Sequence, residues 1–411
     1  MNYELFIAKR IIASKEHKST ISAPIIKIAI IAIAIGMVIM MISIATGIGL
    51  QKKIREKLSG FNGHIQITNY DNNNSEITVN PVSKNQDFYP KFEGVSGIEN
   101  IQVFATKAGI IRTETDFEGI ILKGVSNDYN WSFFKEYLVE GTVPNFTEEV
   151  SNNVLISREI SKRMQLNLGD EFNVFFVKDD TSKAPWVRVL KVVGIYNSGF
   201  QEFDKSYVIG DIRHIQKMNR WSESEVGGFE VLINNFDEIQ EKSQLVYQQT
   251  PSTLNSQSII EKYPAVFEWI NLFDKNVYLI IAIMVLVAGI NMITALLVLI
   301  LERTKMIGIL KAMGSSNISI RKVFLYNASY LILKGLFWGN IIGIALLLIQ
   351  RITGIIKLNP ESYYVDRVPV YIDVFYIILL NIGTLVLCFL MMIVPSFIIS
   401  KIEPSKSIKF E

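Results

Sequence analysis

The chain reads as an α+β membrane protein in which four transmembrane helices carry a large mixed α/β domain between the first and the second. Three observations predict this. Four apolar runs, 28–50, 277–301, 323–350 and 374–400, contain one charged residue between them, Lys334. The long stretch between the first two runs is polar, and its hydrophobic residues alternate or recur at helical spacing in short segments. Charge divides along the same line: residues 51–275 hold 24 Lys+Arg against 31 Asp+Glu, while the rest holds 17 against 8. The two parts therefore face different surroundings.

With 411 residues and 49% hydrophobic content, the composition fits an integral membrane protein rather than a soluble enzyme of several domains. One Cys excludes a disulfide within the chain, and three His with no repeated Cys/His spacing predict no metal site. Neither G-x-x-x-x-G-K-[ST] nor G-x-G-x-x-G occurs, so no nucleotide site is expected on this polypeptide. Nucleic acid is not an expected partner.

In chain order, residues 1–24 begin with Tyr3 to Ser19, where Phe6, Ile7, Ile11 and Ile12 lie beside Lys9, Arg10, Lys15 and Lys18. That pattern suits a helix lying in the membrane surface. A signal peptide is the rival reading, but the run from Ile28 to Leu50 has 23 residues without a charge. At ~1.5 Å per residue it is roughly 34 Å of helix, too long for a signal-peptide core and long enough to span. Residues 25–50 are thus the first transmembrane helix. Ile54, Leu58 and Phe61 keep its spacing beyond the membrane as a stalk, which Gly60 and Asn62-Gly63 are expected to end.

Residues 51–275 are expected to form the α/β domain with its helical stalks. Strands are predicted at His64 to Thr68, around a turn near Thr115-Asp116 within Gly109 to Lys123, and at Glu171 to Val177, Val187 to Tyr196 and Phe229 to Ile233. Helices are predicted at Ser157 to Gln165, Asp211 to Asn219 and Asp237 to Gln248. His64 and His214 lack a Ser, Cys or carboxylate partner motif and read as structural or surface residues. Tyr263 to Asn276, with Phe267, Ile270, Phe273 and Val277 at helical spacing, reads as a second stalk entering the span 276–301.

Residues 302–316, E-R-T-K-M-I-G-I-L-K-A-M-G-S-S, carry Met306, Ile309, Leu310 and Met313 at three- and four-residue spacing, with Arg303, Lys305 and Lys311 pointing elsewhere. A short amphipathic helix is the natural reading, and Gly314 supplies the left-handed residue that closes it. An ordinary basic loop and a helix that docks in a partner's groove both remain open on these residues alone. The third span, 317–350, contains Gly335, Gly339 and Gly343 every four residues, a helix-packing face. Lys334 in the same span either snorkels or faces a polar cleft. A connection at 351–373 holds three basic and three acidic residues, and the fourth span, 374–400, has Pro395 near its end before the basic tail 401–411.

Basic residues set the orientation. Residues 1–27, the 302–322 loop and the tail together hold 13 basic residues against five acidic ones, whereas 351–373 is balanced. The termini are therefore expected in the cytoplasm and the large domain on the outer side of the membrane.

These residues also carry a resemblance. The opening F-I-A-K-R-I-I-A-S-K, the junction G-F-N-G-H-I-Q-I, the loop E-R-T-K-M-I-G-I-L-K-A-M-G and the ending P-S-F-I-I-S-K-I-E-P-S-K-S-I-K-F-E resemble the LolC/LolE membrane subunits of lipoprotein-releasing ABC transporters, within the wider MacB/FtsX-like permease group. The resemblance covers the whole chain in order and spacing. It implies a MacB-like periplasmic core, a bacterial inner-membrane location, a second permease subunit, identical or paralogous, and a separate LolD-like ATPase dimer that holds the ATP and Mg, with no cofactor on this chain. It implies lipoprotein substrates taken from the membrane lipids and passed to a LolA-like periplasmic carrier. Arg303, Lys305, Met306, Ile309, Leu310, Met313 and Gly314 then correspond to the coupling helix that meets the ATPase. Lys334 departs from the acidic or neutral residue that the resemblance leads one to expect. A MacB-like or FtsX-like mechanotransmitter for efflux or cell-wall hydrolase control is the alternative within the group; a membrane-anchored receptor or adhesion protein is the alternative outside it.

The resemblance further implies a carrier-binding hook in LolC-like members. Here Phe176 to Arg188 falls between two predicted strands at the matching place, and Ala184, Pro185 and Trp186 offer a rigid backbone and a large aromatic anchor. The competing reading is that Trp186 starts the next strand and packs inward.

Topology is directly measurable, because the single native thiol, Cys388, lies inside the fourth span. Cysteines placed at Ser126 and Ser222 are expected to react with an impermeant maleimide applied to intact spheroplasts, and one at Ser315 to remain unlabelled; labelling of Ser315 would reverse the orientation.

Overall fold

The computed structural model of the protein describes residues 3–13, 22–72, 75–113, 116–146, 149–178 and 184–403. The chain begins with α1 (Tyr3–Ala13), α2 (Ser22–Asn62), β1 (Ile65–Asn69), β2 (Val82–Ser83), β3 (Ile98–Arg112) and β4 (Phe117–Val125). Next come α3 (Ser132–Glu136), β5 (Leu138–Gly141), β6 (Asn153–Ser157), α4 (Arg158–Met164), β7 (Glu171–Phe176) and β8 (Trp186–Tyr196). They are followed by α5 (Gln201–Asp204), β9 (Tyr207–Asp211), α6 (Ile212–Asn219), β10 (Glu225–Val226), β11 (Gly228–Ile233), α7 (Ile239–Gln249), β12 (Leu254–Ser258) and α8 (Ile259–Lys262). The remainder is helical: α9 (Pro264–Glu302), α10 (Thr304–Ala312), α11 (Asn317–Thr353), α12 (Pro360–Tyr363), α13 (Val374–Ser396) and α14 (Ile398–Lys401). Two compact units result, one formed by Met1–Leu50, Trp269–Ile356 and Val368–Glu411, the other by Gln51–Glu268 and Lys357–Arg367.

In the first unit, four helices among the described residues are long and apolar enough to cross a membrane. A helix satisfies its own backbone groups, which hydrocarbon demands. The glycine face of α11 seats against α2: a Cβ on Gly335 would lie 2.7 Å from Ile33 Cβ, and one on Gly339 would lie 2.7 Å from Met37 Cβ and 2.9 Å from the Ala34 carbonyl oxygen. Gly343 faces Met41 more loosely, at 3.1 Å from Sδ. α11 also meets α13 through a reciprocal amide pair, with Asn340 Nδ2 donating to Asn381 Oδ1 at 2.7 Å and Asn381 Nδ2 donating back at 3.0 Å. Two side-chain amides thereby satisfy one another where water is absent. Pro395 cannot donate to residue 391, and α13 stops one residue later, with α14 resuming after Phe397.

The second unit is built on one ten-stranded sheet. β3 pairs with β4 and β7, β4 with β9, β9 with β6, β6 with β8, and β8 with β7. These six strands therefore close a ring, and β11, β1 and β12 continue from the other end of β3. Ile111, Ile120, Leu122, Val174, Phe176, Leu190 and Val192 point into the interior and are buried. Closure leaves no edge within the ring, and β12 and β5 stand at the ends of the sheet.

A buried ion pair ties the ring to its extension. Lys123 on β4 lies 2.6 Å from Glu230 on β11, with side chains 1% and 0% exposed. The ammonium also donates to the Phe61 carbonyl, and Glu230 accepts from Gln102 Nε2 at 2.9 Å. Both charges are thus hydrogen-bonded as well as paired, the condition under which burial is tolerated.

Several expectations need correction. Gly60 does not end α2: it lies inside the helix, where its missing side chain makes room for the Phe133 ring, and the helix stops at Asn62 before Gly63 at φ +67°. β2, β5, β6, β9, β10 and β12 lie outside the predicted strands, because they are short and their pairing partners are distant in sequence. Residues 357–367 are not a bare connection. They fold onto the second unit, where Tyr364 stacks on Phe200 at 4.8 Å and its carbonyl accepts from Lys57 Nζ at 3.1 Å. The part of the predicted surface helix beyond Ala13 (Lys15, Lys18 and Ser19) and the tail from Pro404 onward lie outside the described residues.

Replacing Lys123 by Met alone leaves the Glu230 carboxylate buried without its partner, at an expected cost of about 3 kcal/mol. Changing Glu230 to Leu as well is expected to recover most of that loss. Hydrogen exchange of β4 and β11 in the full chain checks both values.

Candidate functional site

α10 is bounded by two turns whose cause is local. Arg303 stands at its N-cap, and its C-terminus closes through Gly314 at φ +90°. The Gly314 N–H donates to the Lys311 carbonyl and the Ser315 N–H to the Leu310 carbonyl, each at 3.0 Å. This paired arrangement is the Schellman motif, which requires a residue that tolerates the left-handed region. The Ser316 hydroxyl then accepts from the Ser319 N–H and starts α11.

The four apolar residues singled out in the sequence do not share one environment. Ile307 is fully buried, and Met306 and Leu310 pack against the same helical core. Ile309 is 50% and Met313 76% exposed. With Lys305 and Ala312, also exposed, they form a stripe at positions i, i+4, i+7 and i+8 on the outward side. The inward face is thus centred on Ile307, one residue away from the predicted stripe, because α10 needs an apolar anchor on the bundle before it can present anything outward.

Lys311 holds this arrangement from the other side. Its ammonium donates to the carbonyls of Ile399 at 2.7 Å, Ser400 at 3.5 Å and Ile402 at 2.7 Å, acceptors in and just after the last turn of α14. Burial first, then the neighbouring Arg321 guanidinium, push its pKa below the ordinary lysine value. Arg321 in turn lies 3.9 Å over the Phe397 ring and donates to the Ser400 hydroxyl. α1 packs on the same region, with Ala8 and Ile11 against Val323 and with Glu4 accepting from the Ser319 hydroxyl at 2.8 Å.

The comparisons with known proteins bear on this arrangement. The MacB-like periplasmic core domain matches residues 28–244, more than half of the chain, and the FtsX-like permease C-terminal domain matches 278–404. The chain belongs to the MacB-like periplasmic core domain family. It is 20% identical to the lipoprotein-releasing system transmembrane protein LolE of Haemophilus influenzae, over 99% of each chain. It is also 20% identical to the lipoprotein-releasing system transmembrane protein LolC of Neisseria meningitidis, again over 99% of each. Among solved structures, the periplasmic region of MacB from Actinobacillus actinomycetemcomitans is 15% identical, with a TM-score of 0.33 over 50% of this chain and 92% of that one. α10 and the helices that hold it fall within the FtsX-like part, and the six-strand ring within the MacB-like part.

Elsewhere in this MacB-like permease, the candidate hook rises from the β7–β8 pair of the ring. Phe176 pairs with Trp186, so Trp186 opens β8 on the same face as the buried Leu190 and Val192. Trp186 is half-buried, and Lys178 Nζ sits 4.3 Å from its ring centroid. Ala184 and Pro185 are exposed; Asp179 to Lys183 lie outside the described residues. The two histidines serve the backbone: His64 Nδ1 accepts from the Ile233 N–H at 3.1 Å, and His214 Nε2 lies 2.9 Å from the Ser151 carbonyl oxygen. Burial pushes His64 down to about 4.

Sequence reasoning set Lys311 aside as a residue pointing elsewhere and did not find its partners. Its signal was a lysine on the far side of α10 and a carbonyl-rich helix end after Pro395, which proximity in space alone connects. Lys311→Met is expected to raise amide exchange at residues 399–402 by about fivefold, corresponding to roughly 1 kcal/mol of local opening.

Proposed function

We propose that this chain is the membrane subunit of an ATP-driven transporter that releases lipoproteins from the inner membrane to a periplasmic carrier. The observation that carries the reading is the outward stripe Lys305, Ile309, Ala312 and Met313 on a helix that is otherwise locked to the bundle. A locked helix with an apolar and cationic outer stripe is suited to transmit a push from a docked partner. The full-length likeness to two lipoprotein-releasing subunits supports the choice of cargo.

In this reading, a separate ATPase dimer binds ATP and Mg and meets α10 on the cytoplasmic side. Arg303 and Lys305 face its acidic groups; Ile309 and Met313 enter an apolar groove. Ile307, Met306, Leu310 and Lys311 keep α10 from yielding, so displacement passes into the bundle. α9 ends at Glu302, next to the Arg303 cap, and is one unbroken helix back to Pro264. A second permease, identical or paralogous, completes the path, and the periplasmic domains hand the cargo to the carrier beside Ala184, Pro185 and Trp186. Acyl chains are worth ~0.8 kcal/mol per buried CH₂, which is why extraction calls for ATP.

Ile309→Asp with Met313→Asp is expected to weaken association with the ATPase by about tenfold or more while the protein stays inserted. Leu310→Asp is expected to loosen α10 itself. Pull-down from detergent-solubilised membranes, with identification of the ATPase and any bound lipoprotein, checks the assignment; unchanged ATPase recovery with the double variant would reject it. Recovery of the ATPase with an efflux partner or a cell-wall hydrolase in place of lipoprotein would reject the cargo.

A further inference from the structure

The charge inside the third span has no role in coupling or in cargo release as proposed. Among the four apolar runs Lys334 is the one ionisable residue other than Tyr and Cys, and none of them contains Asp or Glu. Its side chain is exposed on α11, beside Leu333, Phe337 and Trp338. Its Nζ lies 4.6 Å from the Tyr330 ring centroid. Among the described residues it has no hydrogen-bond acceptor.

Position shows where that charge is directed. The residues Lys322, Tyr326, Tyr330 and Lys334 follow one another at intervals of four, so they form one ladder along α11, rising ~6 Å per step. Lys322 and Tyr326 are exposed and Tyr330 is half-buried. Side chains of a helix lean toward its N-terminus, and the stacking of Lys334 over Tyr330 follows that lean. The ladder therefore leads from Lys334 back to the level of Val323, where α1 packs. Lys334 is 11 residues past Val323, about 16 Å at ~1.5 Å per residue, or about half of a ~30 Å hydrocarbon core.

A cation at that depth needs a counter-charge. A second copy of this chain has no carboxylate in its spans to supply one. Every polar group on the ladder is a cation or a hydroxyl; Glu4, whose carboxylate feels the Lys322 charge at the outer end, is already bonded to Ser319. We propose that the Lys322, Tyr326, Tyr330 and Lys334 ladder binds the phosphodiester of an anionic phospholipid and draws its headgroup inward along α11. The leaflet is the cytoplasmic one, which rests on the proposed cytoplasmic location of α10. With the headgroup drawn in, the Tyr330 hydroxyl donates to a phosphate oxygen and the Lys334 ammonium meets its charge, while Tyr326 and Lys322, the latter about 18 Å away along the helix at ~1.5 Å per residue, line the way in from the surface.

The test uses the full chain with its copurifying subunits in nanodiscs of phosphatidylglycerol or phosphatidylcholine, reading retained lipid by native mass spectrometry. Wild-type protein is expected to retain phosphatidylglycerol selectively. Lys334→Met is expected to lower that retention roughly fivefold, from ~1 kcal/mol per lysine; Tyr330→Phe is expected to lower it less, and Lys334→Arg to preserve it. Equal retention in Lys334→Met and wild type would overturn the proposal. So would a photo-crosslinker at residue 334 that captures another polypeptide instead of lipid, which would point to a carboxylate on a partner subunit. Should Lys334→Met not insert, the other two variants decide: reduced retention in Tyr330→Phe with retention kept in Lys334→Arg supports the site, and any other pattern overturns it. The readout needs neither ATPase nor cargo, so its failure is separate from failure of lipoprotein release.

Discussion

Hydrocarbon offers no hydrogen bonds, so a chain that enters it must satisfy its backbone internally and keep its polar groups at the two surfaces. In this protein that constraint produces four long helices and leaves few places for polar chemistry: the second unit, the short helices at the N-terminal end of α11, and one ladder that intrudes from the surface. It also removes the hydrophobic effect as a force between helices. Contact between α2 and α11 rests instead on the absence of side chains at Gly335 and Gly339, and contact between α11 and α13 gains the Asn340–Asn381 amide pair.

The region around α10 shows how a short helix is held in place. Nine residues cannot hold a helix in water by propensity alone. α10 is fixed by three independent means: the Schellman closure at Gly314, the apolar anchor Ile307, and the Lys311 ammonium on the carbonyls that end α14. The last of these explains why the loop and the ending around Pro395 belong together. The proline stops one helix, and the lysine donates to carbonyls at the end of the short helix that follows. What α10 then shows outward is free to serve a partner, because none of it is needed to hold the helix in place.

The second unit solves a different problem. Its six-strand ring, of which β7 and β8 are two members, encloses an interior filled by branched and aromatic side chains. Lys123 and Glu230 add specificity at the junction of ring and extension, since a misregistered β4 or β11 would leave a charge buried alone.

The sequence by itself determined the architecture: four spans, the large α/β domain between the first two, the amphipathic helix at 304–312 and the glycine face of the third span. These are legible because they rest on periodicity and on runs of residues close in the chain. The expectation that Met306, Ile309, Leu310 and Met313 share one face fails for a physical reason: a 3.6-residue period gives the direction of a stripe to within about one residue, and which side turns inward depends on the bundle that receives it. Tertiary structure alone decided the rest. It chose Ile307 as the anchor, brought Lys311 to residues almost ninety positions away, paired Lys123 with Glu230, closed the ring through β7 and folded 357–367 onto the second unit. Each of these depends on which distant groups share a low-dielectric space, and no local pattern records that.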